Sequence, residues 1–265
     1  MSLVRIEVLD ADAGIFALRL DRAPVNALDP ALCNALREAV RQAVGDGARG
    51  LVLASAHRPD GPAVFSAGLD VPHLLSLGDD RERLRAAWTA FFDAARALAS
   101  CPVPVAAAIN GHAPAGGCVL ALCCDYRIMA DSPDPTRPLR IGLNETQVGL
   151  AVPEGVQHLL QRVVGVNRAE RLLVAGEMVD TAQAQRIGLV DEVVPMDRVV
   201  PRAHEWLASL LALPQDAMRR TREIARADVG AAMQPARIAL DEFLDAWYAP
   251  GTQQALQALV ARLRR

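Results

Sequence analysis

An α/β fold is predicted for this chain of 265 residues by three observations. An alternating apolar segment opens it, a helix with fourfold apolar spacing follows, and short aliphatic runs without polar alternation recur beyond it. Val4, Ile6 and Val8 alternate with polar neighbours, and after a turn through Asp12 and Gly14 the run Ile15 to Leu20 reads as a second strand, so the opening unit is a hairpin. Asp29 and Pro30 supply an N-cap and a first-turn proline ahead of Leu32, Leu36, Val40 and Val44, one apolar stripe that Gly45 and Gly47 end. Gly50 to Ala54 then forms a short strand. Leu84, Trp88, Phe91, Ala95 and Leu98 make an amphipathic helix of Arg81 to Ser100. Val103 to Ile109 lacks polar alternation, as a strand covered on both faces should, and runs through Asn110 and Gly111 into a helix over Ala115 to Cys124.

Asp125 to Ala130 returns as a strand, and the proline-rich, charged stretch Asp131 to Arg140 reads as a solvated excursion. Helices are expected over Gln157–Val164, Asn167–Ala175, Thr181–Arg186, His204–Leu211 and Gln215–Arg226, with a strand at Leu189–Val194 between them. Pro235 and Pro250 leave terminal helices near Ala236–Trp247 and Thr252–Arg264. The expected organisation is an α/β core over residues 1–200 and a helical region over 201–265.

With 52% hydrophobic residues and a formal charge of −3, the composition excludes a largely disordered chain and lacks the basicity of a dedicated nucleic-acid binder. The apolar stretch Ala113 to Cys124 is too short to span a bilayer, so no membrane insertion is expected. The N-terminal MSLVRIEVLD has neither the basic cap nor the apolar run of an export signal. The five cysteines, Cys33, Cys101, Cys118, Cys123 and Cys124, lie mainly in apolar surroundings without metal-ligand spacing. Buried thiols, no metal site and a cytoplasmic location follow as expectations. His57 is expected in an exposed loop, and His73, His158 and His204 have no partner suggesting a metal cluster.

Three segments could carry chemistry. Phe65-Ser66-Ala67-Gly68-Leu69-Asp70 can turn backbone amides toward a ligand. Asn110 to Cys118 places Gly116 and Gly117 at a helix start, where unused N–H donors are exposed; it matches neither a P-loop nor a dinucleotide fingerprint. Tight turns that let helices approach a sheet are the bland account of both. Ile141 to Pro153 sets Glu145 among short apolar residues, a setting that raises a carboxyl pKa toward general-base use, although a helix cap or a paired surface acid has the same local sequence. His112 and the pair Asn144 and Gln147 could contact substrate or satisfy the local backbone.

In this order and spacing the three segments resemble the crotonase superfamily of acyl-CoA enzymes, over nearly the whole chain. Ser66 to Asp70, Pro114 to Cys118 and Gly142-Leu143-Asn144-Glu145-Thr146-Gln147 are most similar to the mitochondrial-type Δ3,Δ2-enoyl-CoA isomerases. The resemblance implies a spiral of ββα units with a C-terminal helical trimerisation region. It also implies Leu69 and Gly116 as backbone donors to a thioester oxygen and Glu145 as the proton carrier. Arg22, Val25, Ala27, Ala67 and Asp70 fall in segments resembling the coenzyme A contacts, Arg22 as a phosphate partner.

The position resembling the hydratases' first catalytic glutamate is Val119, which can neither orient nor deprotonate water. The implied activity is therefore conversion of 3-enoyl-CoA to trans-2-enoyl-CoA, as in oxidation of unsaturated fatty acids, with coenzyme A part of the substrate, no separate cofactor, and a homotrimer as the working form. Hydration, another crotonase-type acyl-CoA reaction and a noncatalytic acyl-CoA binder are the alternatives. Phe243 and Trp247 share a helical face that serves either an internal core or a subunit contact.

Overall fold

The computed structural model describes residues 2–56 and 63–263, so His57 lies outside the described residues. Strands β1 (Val4–Asp10) and β2 (Ile15–Leu20) pair antiparallel, the expected hairpin. Helix α1 (Pro30–Gly45) carries the expected cap, with Asp29 Oδ1 accepting from the Leu32 amide at 2.8 Å. Then come β3 (Gly50–Ser55), α2 (Val71–Ser76), α3 (Arg81–Ala99), β4 (Val105–Ile109), β5 (Ala113–Pro114), α4 (Gly116–Leu122), β6 (Tyr126–Ala130) and β7 (Arg140–Gly142). One 3-10 turn, Glu145–Val148, precedes α5 (Glu154–Val164), α6 (Val166–Ala175), β8 (Val179–Asp180), α7 (Thr181–Arg186) and β9 (Glu192–Val194). The remainder is helical: α8 (Val199–Leu211), α9 (Gln215–Ala225), α10 (Ala227–Ala232), α11 (Pro235–Ile238), α12 (Leu240–Trp247) and α13 (Pro250–Leu263).

The main sheet has the order β1-β2-β3-β4-β6-β9 and is parallel from β2 onward; β5, β7 and β8 form a second, smaller sheet. Every residue of β3 and β4 is buried, which explains their unbroken apolar runs. Helix α8 lies across β3, β4 and β6, and α1 packs against α3. The expected division at residue 200 therefore falls in the first turn of a helix that covers the sheet. The later helices are also tied to the core: Arg222 pairs with Asp125 at 2.7 Å and Arg226 with the same carboxylate at 3.2 Å.

Several boundaries differ from expectation for local reasons. The expected strand Leu189–Val194 shortens to β9, because the Leu189 and Val190 amides bond back to the Ala184 carbonyl and close α7. Residues 236–247 form two helices, since Ala239 adopts left-handed φ 47° and ψ 53°. Helix α8 begins at Val199, before the expected His204, because Pro201 sits in its first turn where no amide bond is lost. Strands β7 and β8 and helices α2 and α10 have two to six residues each, too few to show a period.

The first turn of α5 presses on α10 so closely that a Cβ at Gly155 would stand 1.9 Å from the Ala232 carbonyl oxygen. Gly155→Ala gains about 1 kcal/mol of helix propensity but must displace backbone, at about 3 kcal/mol. A loss of about 2 kcal/mol is expected, read as a lower urea midpoint at unchanged slope. An unchanged midpoint would show that α10 yields freely.

Candidate active site

A cavity of about 660 Å³ opens among the loop after β2, the loop before α2, the start of α4, the 3-10 turn at Glu145, and helices α3, α12 and α13. Arg22, Val25, Ala27, Ala67, Leu69, Asp70, Gly116 and Glu145, the site residues expected from sequence, all line it. Ala23, Pro24, Ala67 and Pro72 are exposed at its mouth, whereas Phe91 is buried beside Gly116 and Trp88, Phe92, Phe243 and Trp247 are buried deeper in the lining.

The mouth is held together by buried polar groups that sequence reasoning missed. Asn26 accepts from the Arg22 amide at 2.9 Å and donates Nδ2–H to the Phe65 carbonyl at 3.1 Å. Ser66 Oγ donates to the Asn26 carbonyl at 2.8 Å and accepts from the Gly68 amide at 3.2 Å. Leu28 bridges the same two loops, donating to Gly68 O at 2.7 Å and accepting from the Asp70 amide at 3.1 Å. Fully buried polar residues need partners, so Asn26 and Ser66 act as rivets between segments 40 residues apart. The only sequence signal for them is a polar side chain inside a short apolar stretch.

The phosphate contact expected of Arg22 meets a guanidinium already engaged. Its Nη2 stands 2.7 Å from Asp70 Oδ2, its Nε 3.1 Å from Asp29 Oδ2, and its Nη1 donates to Ala27 O at 3.1 Å. One cation against two carboxylates leaves no surplus positive charge for a phosphate. Arg22 ties the caps of α1 and α2 together, since Asp29 caps the first and Asp70 Oδ1 accepts from the His73 amide at 3.0 Å in the second.

Two residues of the lining have amides without an acceptor. Leu69 lies in the isolated bridge with Leu28, and Gly116 is the first residue of α4; neither N–H has an acceptor among the described residues. Ala115, at φ 45° and ψ −116°, turns the chain sharply into α4, and its own amide donates to Gly142 O at 2.8 Å. The two loops touch: a Cβ at Gly68 would stand 3.3 Å from the Gly116 nitrogen, and one at Gly116 would stand 2.8 Å from Leu69 Cδ2.

Glu145 begins the 3-10 turn, and its Oε2 is enclosed with no hydrogen-bond partner. Burial pushes its carboxyl up to about 7, opposed in part by its own backbone amide. Val119, 2% exposed, lines the same cavity from α4. Among the described lining residues the carboxylates are Glu145 and Asp70, and Asp70 is held by Arg22. The arrangement offers one proton carrier near neutrality beside two free amide donors.

Neighbouring polar residues serve the frame. His112 Nδ1 accepts from the Arg140 amide at 3.1 Å, and burial together with Arg140 and Arg137 lowers its pKa. Thr146 donates to Leu173 O at 2.7 Å and Gln147 to Ala175 O at 3.4 Å, whereas Asn144 lines the cavity. Phe243 and Trp247 pack within the chain against Trp88, with ring centroids 4.5 and 6.0 Å away. All five cysteines are free and buried, and burial pushes Cys33 and Cys123 up to about 12. Among the described residues no group of three or more metal-ligating side chains is present, and no helix is long and apolar enough to cross a membrane.

A family profile described as "Enoyl-CoA hydratase/isomerase" matches residues 10–256. The chain is 34% identical to the human protein named "Enoyl-CoA delta isomerase 1, mitochondrial" over 257 residues, 96% of this chain and 82% of that one. It is 32% identical to a Mycobacterium leprae protein named "Probable enoyl-CoA hydratase" over 211 residues, 79% of this chain and 76% of the other. The crystal structure of human mitochondrial Δ3-Δ2-enoyl-CoA isomerase superposes with a TM-score of 0.89 at 33% identity, covering 99% of this chain and 98% of that one. The architecture is thus the crotonase-like one, α/β with a mixed sheet and C-terminal helices.

Proposed function

This chain belongs to the enoyl-CoA hydratase/isomerase family, the crotonase superfamily, and from that premise we propose that it is a Δ3,Δ2-enoyl-CoA isomerase. The observation that carries the reading is the single enclosed carboxyl of Glu145, facing a cavity where Val119 offers no second acid and two amides stand open. Addition of water needs a group to hold and deprotonate the water as well as a proton donor. Moving a double bond needs one group that takes a proton and returns it.

In the proposed reaction the thioester oxygen of a cis- or trans-3-enoyl-CoA accepts hydrogen bonds from the Leu69 and Gly116 amides. The Glu145 carboxylate removes a proton from C2, and the electron pair enters a dienolate whose negative oxygen those amides stabilise. Protonated Glu145 then delivers the proton to C4, the double bond settles between C2 and C3, and trans-2-enoyl-CoA leaves with Glu145 ionised again. No oxidation state changes, so coenzyme A enters as part of the substrate and no further cofactor is called for. A pKa near 7 suits both halves of the shuttle, since either form of Glu145 is accessible at neutral pH.

Coenzyme A would meet the exposed mouth, with Val25, Ala27 and Ala67 contributing backbone atoms, while Arg22 and Asp70 hold the loops that present them. A homotrimer is supported by exposed apolar side chains at α9, Leu213 just before it at 48% and Ile224 on it at 63%. The reduced, buried cysteines support a cytoplasmic setting. Isomerisation of this kind would serve oxidation of unsaturated fatty acids.

The test is a product assay. With 3-enoyl-CoA the expected product is trans-2-enoyl-CoA at unchanged mass, and with trans-2-enoyl-CoA no 3-hydroxyacyl-CoA should accumulate. Hydration as the faster reaction would overturn the isomerase reading, and acyl-CoA binding without any product would favour a noncatalytic role.

A further inference from the structure

The geometry points to Trp88 as the residue that ends the acyl pocket and limits the length of chain it accepts, an inference that rests on the acyl-CoA reading of the same cavity. Substrate must enter by the exposed mouth at Ala23, Pro24 and Pro72, because the opposite end is closed by buried side chains. Phe91 marks where the reacting carbons would lie: its Cε2 is 3.2 Å from a Cβ at Gly116. Trp88 lies one turn nearer the α3 N-terminus on the same face, so a chain running inward from the two amides meets it after Phe91.

Trp88 is also the hub of the ring cluster. It stacks on Phe92 at 6.0 Å and meets Phe91, Phe243 and Trp247 edge-on at 6.2, 4.5 and 6.0 Å, and all five rings line the cavity. Phe243 and Trp247 belong to α12, which is strapped across α3 by ion pairs of Arg85 with Asp241 and of Arg81 with Asp245, the latter at 2.7 Å. The wall is therefore backed by a second helix that cannot retreat without breaking those pairs. The Trp88 indole Nε1 is buried without a protein partner among the described residues. A tail that reaches the ring must displace a packed aromatic cluster, whereas a shorter one fills free volume.

The experiment measures binding of saturated acyl-CoA thioesters of increasing chain length to the full chain by calorimetry, beside kcat/KM for the matching 3-enoyl-CoA series. The parent should gain affinity with length up to a break and lose it beyond. Trp88→Ala should move that break to longer chains and raise the long-to-short ratio of kcat/KM about tenfold or more. Trp88→Phe, which keeps a ring, should move it less. If circular dichroism shows that Trp88→Ala does not fold, Trp88→Leu carries the same comparison. An unchanged break in a folded variant overturns the inference while leaving the isomerase reading intact. A moved break in binding with no turnover of any 3-enoyl-CoA by the parent supports the wall and overturns the isomerase reading. Absence of acyl-CoA binding at every length overturns both.

Discussion

Glu145→Gln is expected to lower turnover of 3-enoyl-CoA by about 10³-fold, the range for loss of a general acid–base, with the fold retained. The amide matches the carboxyl in shape but can neither take a proton from C2 nor return one to C4. In the parent, kcat/KM should fall on the acid side of about pH 7, where Glu145 becomes protonated, and rise to a plateau above it. The folding equilibrium should respond in the opposite sense. The folded pKa is raised from 4.5 to about 7, so the group's contribution to stability is whole below 4.5 and is lost as pH rises through about 7. The variant lacks this term. Its stability relative to the parent should therefore improve by up to roughly 3 kcal/mol between the two limits, at 1.36 kcal/mol per pKa unit. Urea melts of both proteins across that interval measure this. Near-normal turnover by a folded variant would remove Glu145 from the chemistry, and a constant stability difference would show that its carboxyl is not desolvated.

Gly117→Ala is expected to lower kcat by about 10²-fold, the usual effect of misplacing one oxyanion donor. A Cβ at residue 117 would stand 2.7 Å from the Ser66 carbonyl oxygen, and a backbone atom cannot swing aside as a side-chain end can. The loop carrying Leu69 must back away from the start of α4, so the two amides no longer converge on one oxygen. Glu145 sits on a different segment, so the acid limb of the pH profile should keep its midpoint near 7. Gly45→Ala, where nothing lies within 4 Å of the added carbon, is the control and should leave kcat alone. Full activity in a folded Gly117→Ala, or a displaced acid limb, would break the link between loop contact and donor geometry.

Legibility in the sequence followed element length and the locality of the signal. The hairpin β1-β2 and helix α1 were readable because each repeats a period over several residues or carries a cap beside it, and the buried strands β3 and β4 because short unbroken aliphatic runs mark strands covered on both faces. The small sheet of β5, β7 and β8 was not, since its strands owe their conformation to partners far along the chain. Likewise Ala239 breaks the 236–247 helix without any glycine or proline at the break. Within the site, local chemistry marked the segments that hold Leu69, Gly116 and Glu145 but left tight turns and a paired acid open, and it was the resemblance to the crotonase superfamily that picked out the three residues.

The sequence by itself determined the α/β class and the apolar setting of Glu145, both properties of short stretches, while the resemblance to the hydratases supplied the reading of Val119 as a missing second carboxylate. Only the tertiary structure decided what Arg22 does, because the side chains that occupy it, Asp29 and Asp70, come from two separate caps. Only it showed that Phe243 and Trp247 close the cavity from within the same chain, against a tryptophan some 150 residues earlier. The reason is the same in both cases: charge pairing and burial depend on distance in space, and periodicity along the chain reports which face of an element is apolar but not what that face meets.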